Sequence, residues 1–345
     1  MVVLAKSEQQ AGLIGSFADA LPDPCLLLDR RSVVIHRNRA ADIDFPGITV
    51  GQVLNISWRS PMLLSAVESA RSSGVAQTVE LHQTVPNETW HRVHVAPLPG
   101  SDGVILVTLQ SLTEHNRLEQ LRSDFIANAS HELRTPLASV MGFIDTLLGP
   151  AAKDEVARER FLRIMQQQAS RMAALIDDLL SLSRIEMRQH LRPTGAVDLK
   201  LLLAEVRDGL EQHAAESGVK LELTTPGPAV VAGDRNELYE VFENLVDNAI
   251  KYGGDGGQVE IALGPGRLGY DFAVTVTDHG AGVAIEHVPR LTERFYRVDA
   301  DSSRKKKGTG LGLAIVKHIV NRHRGQMTIR SKPGEGMRVE VLLST

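Results

Sequence analysis

The feature that most constrains this chain is a pair of apolar stripes near its middle. Ile126, Ala129, Leu133, Pro136, Val140, Phe143 and Leu147 recur at spacings of three and four, as do Leu162, Met165, Ala169, Met172, Ile176 and Leu179. That period belongs to helices buried along one side. Gly149-Pro150 interrupts the pattern between the stripes, which predicts two antiparallel helices joined by a short loop. Alone, such a hairpin cannot bury both stripes. A second copy completing a four-helix bundle can, so the chain is expected to be a homodimer.

The hairpin is too short to account for 345 residues, and chains of this length hold two or three domains. Residues 12–110 alternate short apolar runs with turn residues: CLLLD, SVVIH, AQTVELHQ, TWHRVHVAPL and GVILVTL read as strands, with helical segments near Arg37 to Asp42 and Ser60 to Ser72. This predicts a small α+β domain. Residues 111–190 hold the hairpin. After a linker carrying Pro193 and Gly195, residues 191–345 mix helices with strands and are expected to form a two-layer α/β sandwich.

Composition removes several classes of function. A net charge of −4 gives no support to nucleic-acid binding through phosphate contacts. The single cysteine, Cys25, excludes an internal disulfide and cysteine-rich zinc sites. No window approaches the ~18 apolar residues needed to cross a bilayer, so a cytoplasmic chain, or the cytosolic portion of an inner-membrane protein, is expected. His91 and His94 would face opposite sides of one strand and make a poor chelating pair.

The first long helix carries Ser130-His131-Glu132-Leu133-Arg134-Thr135-Pro136-Leu137. With Ile126, Leu133 and Val140 at a and Ala129, Pro136 and Phe143 at d, His131 falls at f, pointing away from the core. A packing histidine has no reason to stand there, whereas a nucleophile does. Imidazole is available in its neutral form near pH 7. Glu132 can hold one ring nitrogen protonated and leave the other free to attack. Thr135, one turn on, shares the face of His131, where its hydroxyl can orient a water against a phosphorylated partner. Pro136 removes one intrahelical bond beside the nucleophile.

Four strings in the last domain add to this. Asn244 and Asn248, within ENLVDNAIKY, share one helix face with a turn between them. Asp278-His279-Gly280-Ala281-Gly282 ends a strand, where glycines let backbone approach a ligand. ERFYRVD contains Arg297 and precedes the basic run Arg304 to Lys307. Gly308-Thr309-Gly310-Leu311-Gly312 stands just before a helix, an arrangement that offers N–H groups to an anion. A dinucleotide fold would want those glycines after the first strand of a βαβ unit, and here they follow a basic loop late in the domain.

Together SHELRTPL, the preceding DFIANA, RMAALIDDLLSLSRIE on the second helix and the four later strings resemble the sensor histidine kinases of two-component systems, over about Leu118 to Thr345. The run of the two helices is most similar to the phosphate-regulon sensor group. The resemblance implies ATP-dependent phosphorylation of His131 and transfer to an aspartate of a response regulator receiver domain. It further implies phosphatase activity toward that regulator and a link to phosphate starvation. It assigns Mg²⁺ to Asn248 with Asn244 in support, the phosphates to Lys251 and Arg297, and the adenine amino group to Asp278. Tyr252, Gly280, Gly282 and the stretch Gly308, Thr309, Gly310, Leu311, Gly312 complete the implied ATP site. Thr292 stands where the family usually carries an aromatic residue. LPDPCLLLDRRSVVIHRNRAA resembles the start of a PAS sensory domain. The competing expectation is a gyrase-type ATP-driven conformational dimer without phosphotransfer, which would have no use for an exposed histidine in SHELRTPL.

Overall fold

The computed structural model describes residues 15–83, 88–101, 103–188, 190–298 and 308–345. Asp299 and the basic run Arg304 to Lys307 lie outside the described residues. The chain divides into two compact units, Met1–Asp124 and Phe125–Thr345.

In the first unit, strands β1 (Cys25–Leu28), β2 (Val34–Arg37), β3 (Gln77–Gln83), β4 (Thr89–Pro97) and β5 (Ile105–Ser111) form one sheet in the order β2-β1-β5-β4-β3. All its pairings are antiparallel. Helices α1 (Arg39–Asp44) and α2 (Pro61–Ser73) supply buried side chains to its core, which includes Leu26, Leu28, Leu63, Val67, Val93, Val95 and Val107. Buried Asn38 ties the entry of this unit together. Its Oδ1 accepts from the Cys25 and Ala41 amides, capping α1, while its Nδ2 donates to the carbonyls of Ala18, Leu21 and Asp23. Such a group is stable inside only because every polar atom is satisfied. His91 is buried against Phe45, whereas His94 is exposed and bonded to Thr78, so the two do stand on opposite faces. Burial pushes the Cys25 thiol up to about 11, which suits an inert packed residue.

Helix α3 (Thr113–Leu148) and helix α4 (Glu155–Met187, capped by Asp154) form the hairpin. The expected stripe on α3 is mostly half-buried, but Ile126 is exposed. On α4, Leu162 and Ile176 of the expected stripe are exposed in the single chain, while Leu175, Ser181, Leu182 and Ile185 are buried. A second stripe on α3, Leu137, Met141, Ile144 and Leu148, faces solvent in the single chain. The physical reason is geometric: each helix has one face for its hairpin partner and another for a different neighbour.

The remaining elements are β6 (Ala196–Asp198), α5 (Leu199–Glu216), β7 (Lys220–Thr224), β8 (Val230–Ala232), α6 (Arg235–Gly253), β9 (Gln258–Pro265), β10 (Phe272–Asp278), α7 (Gly312–Arg322), β11 (Gln326–Ser331) and β12 (Met337–Leu343). Five strands make a sheet ordered β11-β12-β10-β9-β7, with β7 parallel to β9 and the other pairs antiparallel. The three helices share one apolar core with this sheet. Leu175, Leu182 and Ile185 of α4 belong to that core as well, so the hairpin and the α/β layer are packed together.

His323, fully buried at the end of α7, locks the start of α6. Its Nδ1 donates to the Ile319 carbonyl, 2.8 Å away, and its Nε2 accepts the Asp234 N–H at 3.0 Å. Both roles require the neutral ring, and burial pushes its pKa below the ordinary imidazole value. Protonation therefore favours the unfolded chain. The contribution is complete above the unfolded value of 6.5 and is lost as pH falls below it. His323→Gln keeps an acceptor without titrating. On acidification from about pH 7.5 to 5.5, the unfolding midpoint of the wild-type chain should fall further than that of the variant, as followed by circular dichroism.

Candidate active site

Helix α6 orients the first group of site residues. Asp234 caps it by accepting the Asn236 and Glu237 amides. Leu238, Val241, Phe242, Leu245, Val246, Ala249 and Ile250 are buried on one face. The same periodicity leaves Asn244, Asn248, Lys251 and Tyr252 half-buried on the other. Asn244 donates from Nδ2 to the Glu240 carbonyl, and a Cβ on Gly312 would lie 2.6 Å from its Oδ1. The first turn of α7 thus abuts both asparagines. Lys251 is paired with Asp247, one turn back.

Asp278 ends β10 and is buried beneath the end of α6. Its Oδ1 accepts from the Gly280 and Met337 amides at 3.0 and 3.3 Å. Burial raises its pKa above the usual carboxylate value, and those two hydrogen bonds oppose the shift. The glycines of this turn make their close approaches to the protein's own backbone. A Cβ on Gly280 would stand 2.5 Å from the Gly253 Cα, and one on Gly282 would stand 2.0 Å from the Lys332 carbonyl oxygen. This differs from the expectation that they clear space for a ligand.

The glycine-rich loop closes the arrangement. A Cβ on Gly308 would lie 2.4 Å from the Tyr252 hydroxyl. Gly310 has φ +77 and accepts the Phe295 N–H through its carbonyl, a conformation that disfavours any side chain. Leu311 is buried, and its amide donates to the Thr309 hydroxyl. That hydroxyl donates to Asp178 of α4 at 2.7 Å. Burial pushes Asp178 above the ordinary carboxylate range.

His131 is exposed on α3, and the Thr135 hydroxyl donates back to its carbonyl at 3.2 Å. Glu132 does not turn to the imidazole here. Its Oε2 lies 3.3 Å from Arg171 on α4 and 3.6 Å from Arg297. Arg297 also donates to the Gly308 carbonyl. The structure thus brings the His131 turn and the glycine-rich loop to the same arginine.

Residues 121–188 match the family described as the His Kinase A (phospho-acceptor) domain. Residues 233–345 match the family of histidine kinase-, DNA gyrase B-, and HSP90-like ATPases. The sensor-like histidine kinase SenX3 of Mycolicibacterium smegmatis is 31% identical over 343 residues, covering 88% of this chain and 88% of the relative. The chain belongs to the sensor histidine kinases. The phosphate regulon sensor protein PhoR of Pseudomonas aeruginosa is 41% identical over 231 residues, covering 67% of this chain. This chain spans about half of that relative, 52% of its length. Among solved structures, the histidine kinase AdeS of Acinetobacter baumannii is 26% identical, covering 62% of this chain and 97% of that chain at a TM-score of 0.49.

A histidine-kinase ATPase domain binds ATP, and the metal that accompanies ATP has a fitting donor. Asn248 carries an amide whose Nδ2 would lie 3.6 Å from a Cβ on Gly312; its other amide atom is an oxygen of the kind magnesium takes, with water and phosphates completing the shell. Among the described residues no group of three or more His, Cys, Asp or Glu forms a metal cage.

The sequence reading passed over Gly253, Arg171 and Asp178. The last two stand seven apart, so one face of α4 presents both, a spacing that is visible once that face is known to meet the α/β layer. Gly253 matters through closeness: a Cβ there would sit 2.6 Å from the Asp278 Oδ1 and 2.2 Å from its Cβ. Gly253→Ala must displace the carboxylate. ATP affinity, measured by titration with a fluorescent analogue, should fall at least about tenfold, the equivalent of ~1.4 kcal/mol.

Proposed function

We propose that the chain is a protein-histidine kinase that phosphorylates His131 from Mg-ATP and passes the phosphoryl group to an aspartate of a response regulator receiver domain. The observation that carries the reading is Arg297, which contacts both the Gly308 carbonyl of the nucleotide loop and Glu132, the neighbour of His131. In the transfer, a neutral ring nitrogen of His131 attacks the γ-phosphorus, the bond to the β-γ bridging oxygen breaks, and ADP leaves. We assign the proton on the other ring nitrogen to Glu132, whose Oε2 faces Arg171 and Arg297 in this structure and whose carboxylate must reach the imidazole for the transfer. Mg²⁺, bound through Asn248, would neutralise charge on the phosphates. Lys251 and Arg297 serve as phosphate contacts, with Asp278 accepting from the adenine amine. We assign Thr135, whose hydroxyl donates to the His131 carbonyl in this structure, to orienting a water for dephosphorylating the regulator. A gyrase-type machine without phosphotransfer gives no role to the exposed His131.

The likeness to a phosphate regulon sensor supports phosphate-starvation signalling as the biological setting. The β2-β1-β5-β4-β3 sheet of the first unit suits a PAS-type sensory domain. Domains at 12–110, 111–190 and 191–345 remain our division of the chain. The Leu137, Met141, Ile144 and Leu148 stripe, exposed at spacings of four, three and four, is the surface we assign to a second copy in a four-helix bundle.

The decisive test is ³²P transfer from ATP. His131→Gln should incorporate no acid-labile label while binding ATP within about twofold of wild type, since surface replacements cost little stability. Acid-labile label on the variant would move the phosphoacceptor elsewhere. The dimer has its own test. Ile144→Glu places a charge in the assigned interface and should convert the chain to monomers in sedimentation velocity at micromolar concentration. A dimer that survives this change would place the contact on another face.

A further inference from the structure

Glu132 is held by two cations that come from different parts of the fold. Arg171 reaches it from α4, across the hairpin, and Arg297 reaches it from the segment that precedes the glycine-rich loop. The two are not equivalent. Arg297 is also bound to the Gly308 carbonyl and is the residue we assign to the phosphates, so a triphosphate would compete with Glu132 for its guanidinium. Among the described residues Arg171 has no such rival. It sits on a helix whose next turns are fixed by buried Leu175 and Leu182, and the contact spans only the two helices of the hairpin.

We propose that Arg171 is a positioning residue for the phosphorylation of His131: it anchors the Glu132 carboxylate from α4, so that the acid stays in the site when nucleotide draws Arg297 away. The inference rests on the phosphoacceptor reading of His131. Glu132 can hold the imidazole proton only if its own carboxylate has a fixed position, and a side chain with three rotatable bonds needs a partner for that. Arg171 supplies one through a charge-assisted hydrogen bond. Its effect is on the reacting geometry and not on nucleotide affinity, because among the described residues its polar contact is to Glu132 and to none of the residues assigned to ATP.

A double-mutant cycle in the full chain tests this. Arg171→Gln should lower kcat for autophosphorylation at least about tenfold, as misplacing a catalytic group does, while KM for ATP stays within about twofold. Arg171→Lys, which keeps the charge on a shorter contact, should recover at least about a third of the wild-type kcat. In a Glu132→Gln background, Arg171→Gln should cost less than about twofold more, because the group it positions is already gone. Unfolding midpoints of all variants show whether fold is retained, and the lysine variant carries the test should glutamine disturb it. An equal loss in both backgrounds, or an effect confined to KM, overturns the inference and leaves Arg171 a structural side chain. His131→Gln in the same assay separates the two levels: label that survives there defeats the phosphoacceptor reading itself, whereas lost label with an additive cycle defeats only the role of Arg171.

Discussion

The burial of one face of α6 is the constraint on which the nucleotide site depends. Seven apolar side chains, from Leu238 to Ile250, are inserted between the sheet and the neighbouring helices. At about 1.5–3 kcal/mol for each large one, no other rotation of this helix is competitive. With the rotation fixed, Asn244, Asn248 and Lys251 have no choice of side. They line the opposite edge, where the start of α7 meets the two asparagines at Gly312. The end of the helix is fixed by the same burial. Gly253 must come down onto Asp278, and only a residue without a Cβ can follow the path. The polar residues of the site are therefore placed by apolar ones.

How much of this was legible follows from what each feature depends on. Elements with local signals lie close to what the sequence predicts: helices expected near Leu199 to Ser217 and over Arg235 to Tyr252 form over Leu199–Glu216 and Arg235–Gly253. Asp234 before α6 and Asp198 before α5 are N-caps that satisfy amides of the first turn, and a cap is written into the sequence beside the helix it starts. The site strings were legible for the same reason, since each is a short run whose spacing carries its meaning. The second apolar stripe of α3 was harder. Leu137, Met141, Ile144 and Leu148 interleave with the expected stripe one residue away, and a pattern on two adjacent faces reads as a single broad one. Which face meets the second helix is a tertiary decision. Arg171 and Asp178 were invisible as functional residues because their partners, Glu132 and Thr309, lie 39 and 131 positions away.

The contact between the hairpin and the α/β layer combines apolar and polar parts, and their magnitudes assign them different tasks. Leu175, Leu182 and Ile185 are nearly fully buried. Exposing three such side chains would cost about 5–9 kcal/mol at most, since part of each would stay covered by its own hairpin. Polar contacts along the same helix and at its C-cap include Thr309 on Asp178, Ser181 on Glu240, Arg294 on Glu186 and Arg322 on the Arg188 carbonyl. Each contributes about 1 kcal/mol net. The partly exposed ion pairs contribute less, because solvent competes for both charges. The apolar seam therefore supplies most of the cohesion.

The polar contacts decide register instead. An apolar seam of three residues tolerates a shift along α4, since one methyl group replaces another at little cost. A shift of one turn would leave Asp178 without the Thr309 hydroxyl and Glu240 without Ser181. Asp178 and Glu240 are both carboxylates whose burial already disfavours the charged form. Losing a donor to a buried carboxylate costs more than the bond contributed, because the group is left desolvated and unpaired. Register is thus enforced by penalty more than by attraction. That register is what holds the glycine-rich loop one heptad along α4 from Arg171, and so within reach, through Arg297, of the acid beside His131.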